Sequence, residues 1–121
     1  MSLPTDELCF KPALQLALLL KRRRISATEL MRAFIARIER VNPKVNAIVT
    51  FLPEQALKAA KALDRSKASR GPLAGLPIAY KDLVLTKRVR TTFGSLVYEN
   101  HIPEHDHLIV ERLAHQRASE R

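Results

Sequence analysis

All three glycines of this chain, Gly71, Gly75 and Gly94, fall inside one stretch of its 121 residues. Average glycine usage is ~7%, so tight turns and close backbone approach are concentrated in residues 71–95. The length suits one domain, since domains usually run ~100–200 residues. With 46% hydrophobic and 27% charged residues, the chain has the means to form a packed core and lies far from the profile of disorder.

Several classes drop out on composition. One cysteine, Cys9, allows neither an internal disulfide framework nor a multi-cysteine zinc site, which favours a reducing compartment. Its thiol reads as unreactive, because the sequence supplies no partner base. The apolar run Ala13 to Leu20, broken only by Gln15, falls short of the ~20 residues that cross a bilayer. Lys21 to Arg24 follow that run, where a signal peptide would place its cations first. A cytoplasmic protein with no membrane contact is expected. The net charge of +9 raises nucleic-acid binding. Outside 21–24 and the Lys87, Arg88, Arg90 group, however, basic residues are interleaved with acids, and no basic-aromatic array occurs. Nucleic acid is a disfavoured partner.

Helical spacing dominates the first half. Residues 12–23 read as a helix opened by Pro12, with Leu14, Ala17 and Leu18 repeating at helical intervals and the basic run opposing the macrodipole at its end. Arg22-Arg23-Arg24-Ile25-Ser26 looks like a basophilic kinase site, but Ser26 has a better local use. Ser26 and Glu29 make a capping box for a second helix. Its apolar stripe is Leu30, Met31, Phe34, Ile35, Ile38 and Val41, and Asn42-Pro43 is expected to end it. Val45 to Phe51 then reads as a strand. Pro53 and Glu54 open a third helix whose Ala56, Leu57, Ala60 and Leu63 give a thin apolar face, and 66–70 is a polar linker.

The segment Gly71-Pro72-Leu73-Ala74-Gly75-Leu76-Pro77 fixes turns but lacks the spacing of a phosphate loop. Leu76 to Tyr80 reads as a strand that delivers Lys81-Asp82 at its end. A lysine placed after an apolar segment can be desolvated, which lowers its pKa toward that of a general base. A lysine beside an aspartate can equally be a solvated strand end, and the residues alone favour that. Thr91-Thr92-Phe93-Gly94-Ser95 is a turn-rich segment. His101, His105 and His107 lie close in sequence but show no metal-binding spacing, so neither metal nor cofactor is expected. Asp106 is expected to cap a last helix, 107–116, with Ile109, Val110 and Leu113 on its apolar side.

Gly-Pro-Leu-x-Gly-x-Pro-x-Ala-x-Lys-Asp at 71–82, followed by Thr-Thr-x-Gly-Ser at 91–95, resembles the amidase signature family. Ser-Ala-x-Glu-Leu at 26–30, Ala-Arg-Ile-Glu-Arg-Val-Asn-Pro at 36–43, Asn-Ala at 46–47, and Asp106 leading to Arg112-Leu113 extend the likeness to roughly 8–116. The resemblance implies an α/β fold, here the helix-rich N-terminal part of a mixed central sheet covered by helices. It also implies hydrolysis of a small-molecule carboxylic acid amide through a Ser–cis-Ser–Lys triad whose lysine is Lys81. That lysine must be neutral, hence enclosed in an apolar site, to accept a proton through the bridging serine while the nucleophile attacks the amide carbonyl. Asp82, Thr92, Gly94 and Ser95 match positions to which the resemblance gives supporting roles, and Ser95 is expected to make a turn or pocket hydrogen bond.

In these enzymes the catalytic serines lie in a glycine- and serine-rich segment downstream of the lysine, and no such stretch occurs in these 121 residues. Residues 117–121 also leave the family pattern. The expectation is a single partial domain over 1–121, an N-terminal fragment of an amidase domain, inactive on its own and with unpaired strand edges at 45–51 and 76–81 that make it marginally stable or self-associating. Two other readings stand beside the simple amidase. One is a fragment of the amidase-type component of a tRNA-dependent glutamyl or aspartyl amidotransferase, with partner subunits and tRNA. The other is a non-enzymatic remnant.

Overall fold

A computed structural model describes residues 5–68 and 70–117. The chain runs α1 (Thr5–Cys9), α2 (Ala13–Lys21), α3 (Ala27–Val45), α4 (Pro53–Arg65), a 3₁₀ turn (Leu96–Tyr98) and α5 (Leu108–Arg117). Helix α1, which no pattern in the sequence announces, carries Asp6 and Glu7 in its only turn. Pro12 flanks α2 at φ −56° and ψ 145°, outside the helix, so it sets the entry of the chain and does not fill the first turn.

Helix α3 is the spine. The Ser26 hydroxyl accepts the Glu29 N–H and the Glu29 carboxylate accepts the Ser26 N–H, completing the capping box. The helix does not stop at Asn42-Pro43. It runs through Pro43 to Val45 and ends at Asn46, which is left-handed at φ 47° and donates its N–H to the Asn42 carbonyl at 2.7 Å. Proline in a last turn removes a single backbone donor, and the long helix tolerates that loss. The exit is fixed by the Asn42 side chain, which donates to the Ile48 carbonyl at 3.0 Å and accepts its N–H at 2.9 Å.

The two expected strands are not formed. Residues 45–51 and 76–80 are the end of α3 and irregular backbone, and among the described residues the only β pairing is an antiparallel bridge between Thr86 and Val89. A strand needs a neighbouring ladder to satisfy its N–H and C=O groups, and the described residues offer neither segment one. The helix-rich part of the expected fold is present; no sheet forms among the described residues.

A small core forms where α1, α2, α3 and α4 meet: Leu8, Leu16, Leu20, Ala27, Leu30, Ala33 and Ala60 are buried, with Met31, Phe34, Leu63 and Leu76 packed against them. Leucines dominate its energy, at about 1.5–3 kcal/mol for each side chain withdrawn from water. The alanines contribute close approach. Ala27 shows why. The Asp64 carboxylate at the end of α4 accepts the N–H groups of Ala27 and Thr28, each at 2.9 Å, so α4 caps the first turn of α3. Gly75 comes against the same spot: at φ 86°, a Cβ there would lie 3.2 Å from Leu20 Cδ1 and 3.3 Å from the Ala27 Cβ.

Helix α5 closes onto the glycine-containing loop. Leu73 donates its N–H to the Gln116 carbonyl at 3.3 Å, and the Arg117 guanidinium reaches the Leu76 carbonyl at 3.2 Å. Its cap is not Asp106. His107 Nδ1 accepts the Ile109 N–H at 3.2 Å, while Asp106 accepts the Lys87 N–H at 2.6 Å and ties the 84–90 segment to the approach of α5. Val110 is buried, but Ile109 is exposed and Leu113 half-buried, so the apolar side is narrower than the spacing suggests. Of the departing tail 117–121, residues 118–121 lie outside the described residues, as does Ser69 of the polar linker.

Candidate active site

The glycine-containing loop leads out of the core at Leu76 and Pro77, and the chain continues without regular secondary structure to Lys81. There it turns, with the Val84 N–H donating to the Lys81 carbonyl at 2.9 Å. Asp82 is the anchor of this turn. Its carboxylate accepts the Thr92 N–H at 2.8 Å and the Thr92 hydroxyl, and its carbonyl accepts the Phe93 N–H at 2.9 Å. The Thr92 hydroxyl, buried at 5% exposure, in turn accepts the Gly94 N–H at 3.2 Å. The Thr92 hydroxyl bond, helped by N–H donors from Thr92 and Gly94, holds the Asp82 carboxyl below the usual carboxylate range against the opposing effect of burial.

Ser95 completes the loop. Its N–H donates to the Thr92 carbonyl at 3.0 Å, and its hydroxyl accepts the Val97 N–H at 3.3 Å, capping the 3₁₀ turn. Asp82, Thr92, Gly94 and Ser95 are therefore brought into one hydrogen-bonded unit with Lys81 at its edge. Phe93 at φ 55° and Gly94 at φ 68° make the left-handed bend that lets the loop fold back. Lys81 itself is exposed. The enclosed site expected of a neutral lysine is not formed by the described residues, because the wall on its open side is not supplied by them.

Two contributors escape a reading of the sequence. Thr91, 3% exposed, donates its N–H to the His101 carbonyl at 3.0 Å, and His101 Nδ1 meets the Thr91 carbonyl at 3.0 Å. The His101 ring also lies against Phe93 and Tyr98, at 5.7 and 5.8 Å between centroids. The turn-rich composition of 91–95 marks the loop, but nothing in the spacing of His101 marks its partner. The three histidines separate in role: His101 braces the loop, His107 caps α5, and His105 is exposed. Among the described residues no group of three His, Cys, Asp or Glu side chains converges as a metal would require.

Lys81 and Asp82 lie on an open groove of about 900 Å³, which runs between the apolar stripe of α3 (Met31, Phe34, Ile38, Val41), residues 47–52 and the 77–82 segment. Cys9 also lines it, and burial pushes that thiol up, away from a reactive thiolate. Chemically, the arrangement offers an amine on a braced turn beside an apolar surface. No helix among the described residues is long and apolar enough to cross a membrane.

Comparison with known proteins gives this geometry a context. The Amidase family profile matches residues 29–118. The A component of glutamyl-tRNA(Gln) amidotransferase from Geobacter metallireducens is 48% identical over 96 residues, covering 78% of this chain and 20% of that protein. Its counterpart of the same description from Methylococcus capsulatus is 44% identical over 104 residues, covering 84% and 21%. Among solved structures, an amidase family protein from Bacillus anthracis superposes with a TM-score of 0.82 at 27% identity, over 94% of this chain and 24% of that one. Fatty acid amide hydrolase superposes with a TM-score of 0.86 over 98% of this chain and 21% of that one, at 22% identity, a likeness of fold alone. The chain spans about a fifth of the length of the curated relatives it matches.

Proposed function

The chain belongs to the amidase family, and from that premise we propose that residues 8–116 form the N-terminal piece of an amidase domain of the tRNA-dependent amidotransferase type. One observation carries the choice within the family. Identity to the glutamyl-tRNA(Gln) amidotransferase component reaches 48%, against 27% for the Bacillus anthracis amidase family protein.

In this reading the protein releases ammonia from an amide, with glutamine as the amide substrate and partner subunits and tRNA as the setting in which the ammonia is used. Lys81 acts as base. As a neutral amine it accepts, through a bridging serine, the proton of a second serine whose oxygen bonds to the amide carbonyl carbon. That proton passes back to the nitrogen as the C–N bond breaks and ammonia leaves, and water then releases the acyl group from the serine as the acid. Both serines belong to a glycine- and serine-rich segment that these 121 residues do not include. The exposed position of Lys81 on an open groove suits a site whose other wall comes from elsewhere in an amidase fold. Asp82, Thr92, Gly94 and Ser95 hold the lysine turn and contribute no reacting atom. A protein of this kind works in the cytoplasm.

A simple amide hydrolase is the second reading, kept because the family match by itself does not choose between the two. The two separate in an ammonia-release assay on a polypeptide that carries this chain together with its serine-bearing segment. Glutamine turned over in preference to propionamide and benzamide supports the amidotransferase reading. Turnover of those amides with none of glutamine supports the simple hydrolase.

A further inference from the structure

Thr91, Thr92 and Phe93 form a short strip gripped from two sides. On one side Asp82 takes three bonds, from the Thr92 N–H, the Thr92 hydroxyl and the Phe93 N–H. On the other side stands His101, half-buried. Its carbonyl accepts the Thr91 N–H, and its ring nitrogen Nδ1 lies 3.0 Å from the Thr91 carbonyl oxygen. One histidine thus satisfies both backbone groups of a residue at 3% exposure. His101 is itself fixed: its N–H donates to the Tyr98 carbonyl at 3.0 Å, and its ring packs on Phe93 and Tyr98, which meet each other edge to face at 5.2 Å. All of these contacts are made within this chain, whatever lies over its outer surface.

A carbonyl oxygen only accepts, so the ring nitrogen that faces it carries the proton. His101 is therefore held as the Nδ1–H form, whereas Nδ1 of His107 accepts the Ile109 N–H and must be bare. Lys81 shares a peptide bond with Asp82 and belongs to none of the ion pairs among the described residues, so within this part of the fold its direction comes from its backbone. We propose that His101 is a positioning residue for Lys81: the Nδ1–H bond to Thr91 fixes the strip that grips Asp82, and with it the turn from which the lysine amine projects. The inference rests on the reading of Lys81 as base. A proton relay works only when donor and acceptor are within hydrogen-bond reach, and a displacement of about 1 Å can cost about 100-fold in rate.

The test uses the polypeptide that carries this chain together with its serine-bearing segment, assayed for ammonia release from the amide it turns over fastest. His101→Phe keeps a ring against Phe93 and Tyr98 but has no donor. His101→Asn loses the ring but places an amide N–H where the Nδ1–H stood, since both nitrogens are bonded to Cγ. The expected result is kcat lowered about 10–100-fold in His101→Phe with KM within about twofold, and His101→Asn back to within about fivefold of wild type. Packing alone would give the reverse order of the two variants. Imidazole ¹⁵N spectra of the unsubstituted polypeptide in alkaline buffer, assigned against His101→Asn, should place the His101 proton on Nδ1. A proton on Nε2 instead, near-wild-type kcat in His101→Phe, a change confined to KM, or His101→Asn as slow as His101→Phe would each overturn the proposal. Lys81→Ala separates it from the reading beneath it. Full activity in Lys81→Ala removes the base assignment and this proposal together, whereas activity lost in Lys81→Ala but kept in His101→Phe removes this proposal alone.

Discussion

The carboxylate of Asp82 accepts both the N–H and the hydroxyl of Thr92, ten residues further along the chain. This bond joins the end of the 76–82 segment to the 91–95 loop and makes one unit of two stretches that share no regular secondary structure. Thr92→Val keeps the shape of the side chain but deletes the hydroxyl. It is expected to cost about 0.5–1.5 kcal/mol, the net worth of a hydrogen bond whose remaining partners water can reach, since Asp82 is half-buried and Gly94 exposed, and to speed exchange of the Gly94 amide. Urea denaturation and hydrogen exchange of the Gly94 and Phe93 amides check it; unchanged protection would show that the unit is held by something else.

Acid should loosen the chain at two places. Burial raises the Asp64 carboxyl, but hydrogen bonds from Thr28 and Ala27 outweigh it and leave the group below its ordinary value; Asp82 is lowered chiefly by Thr92. A carboxylate whose folded pKa is depressed stabilises the fold above its unfolded pKa of ~3.9, and that contribution is lost as pH falls through the folded value. Stability is therefore expected to be flat from pH 7 to 5 and to drop below about pH 4. Asp64→Ala should cost about 1–2 kcal/mol at pH 7, since it uncaps α3. The difference between wild type and variant should shrink toward pH 3. A constant difference across that range would contradict the role given to the ionised carboxylate.

Gly75 and Gly94 differ in a way that alanine resolves. Both have positive φ, 86° and 68°, but a Cβ at Gly75 meets Leu20 and Ala27, whereas one at Gly94 meets nothing within 4 Å. Gly94→Ala should cost only backbone strain, about 1 kcal/mol. Gly75→Ala adds the shift of a core leucine and should lower the melting temperature clearly more. Calorimetry of the two variants gives the order directly.

What can be read from the sequence follows from how local each signal is. The α3 capping box and the helix opened by Pro53 depend on neighbours within one turn, so residues 26–29 and 53–54 announce them. Asn42-Pro43 misleads because a proline rule describes a helix interior, whereas Pro43 sits in a last turn that Asn46 closes. The apolar runs 45–51 and 76–80 look like strands, since the pattern records the burial a segment seeks and not whether a ladder partner is at hand. Asp106 suggests a local cap for a similar reason, yet its bond to Lys87 spans 19 residues. At the site, the residues of 81–82 and 91–95 are legible as blocks. Their junction through Asp82, and the bracing of Thr91 by His101, are tertiary and carry no periodicity.

The central claim is that Lys81 takes the proton in amide hydrolysis. The most direct measurement is kcat/KM for ammonia release from glutamine by the polypeptide carrying this chain and its serine-bearing segment, as wild type, Lys81→Ala and Lys81→Arg. Because Lys81 is exposed in this part of the fold, neither substitution should move the stability of the 121-residue chain by more than about 0.5 kcal/mol. Proton transfer through Lys81 predicts a loss of at least about 10²–10⁴-fold in both variants, with arginine failing as alanine does because a guanidinium keeps its proton. Activity within threefold of wild type in Lys81→Ala would contradict it.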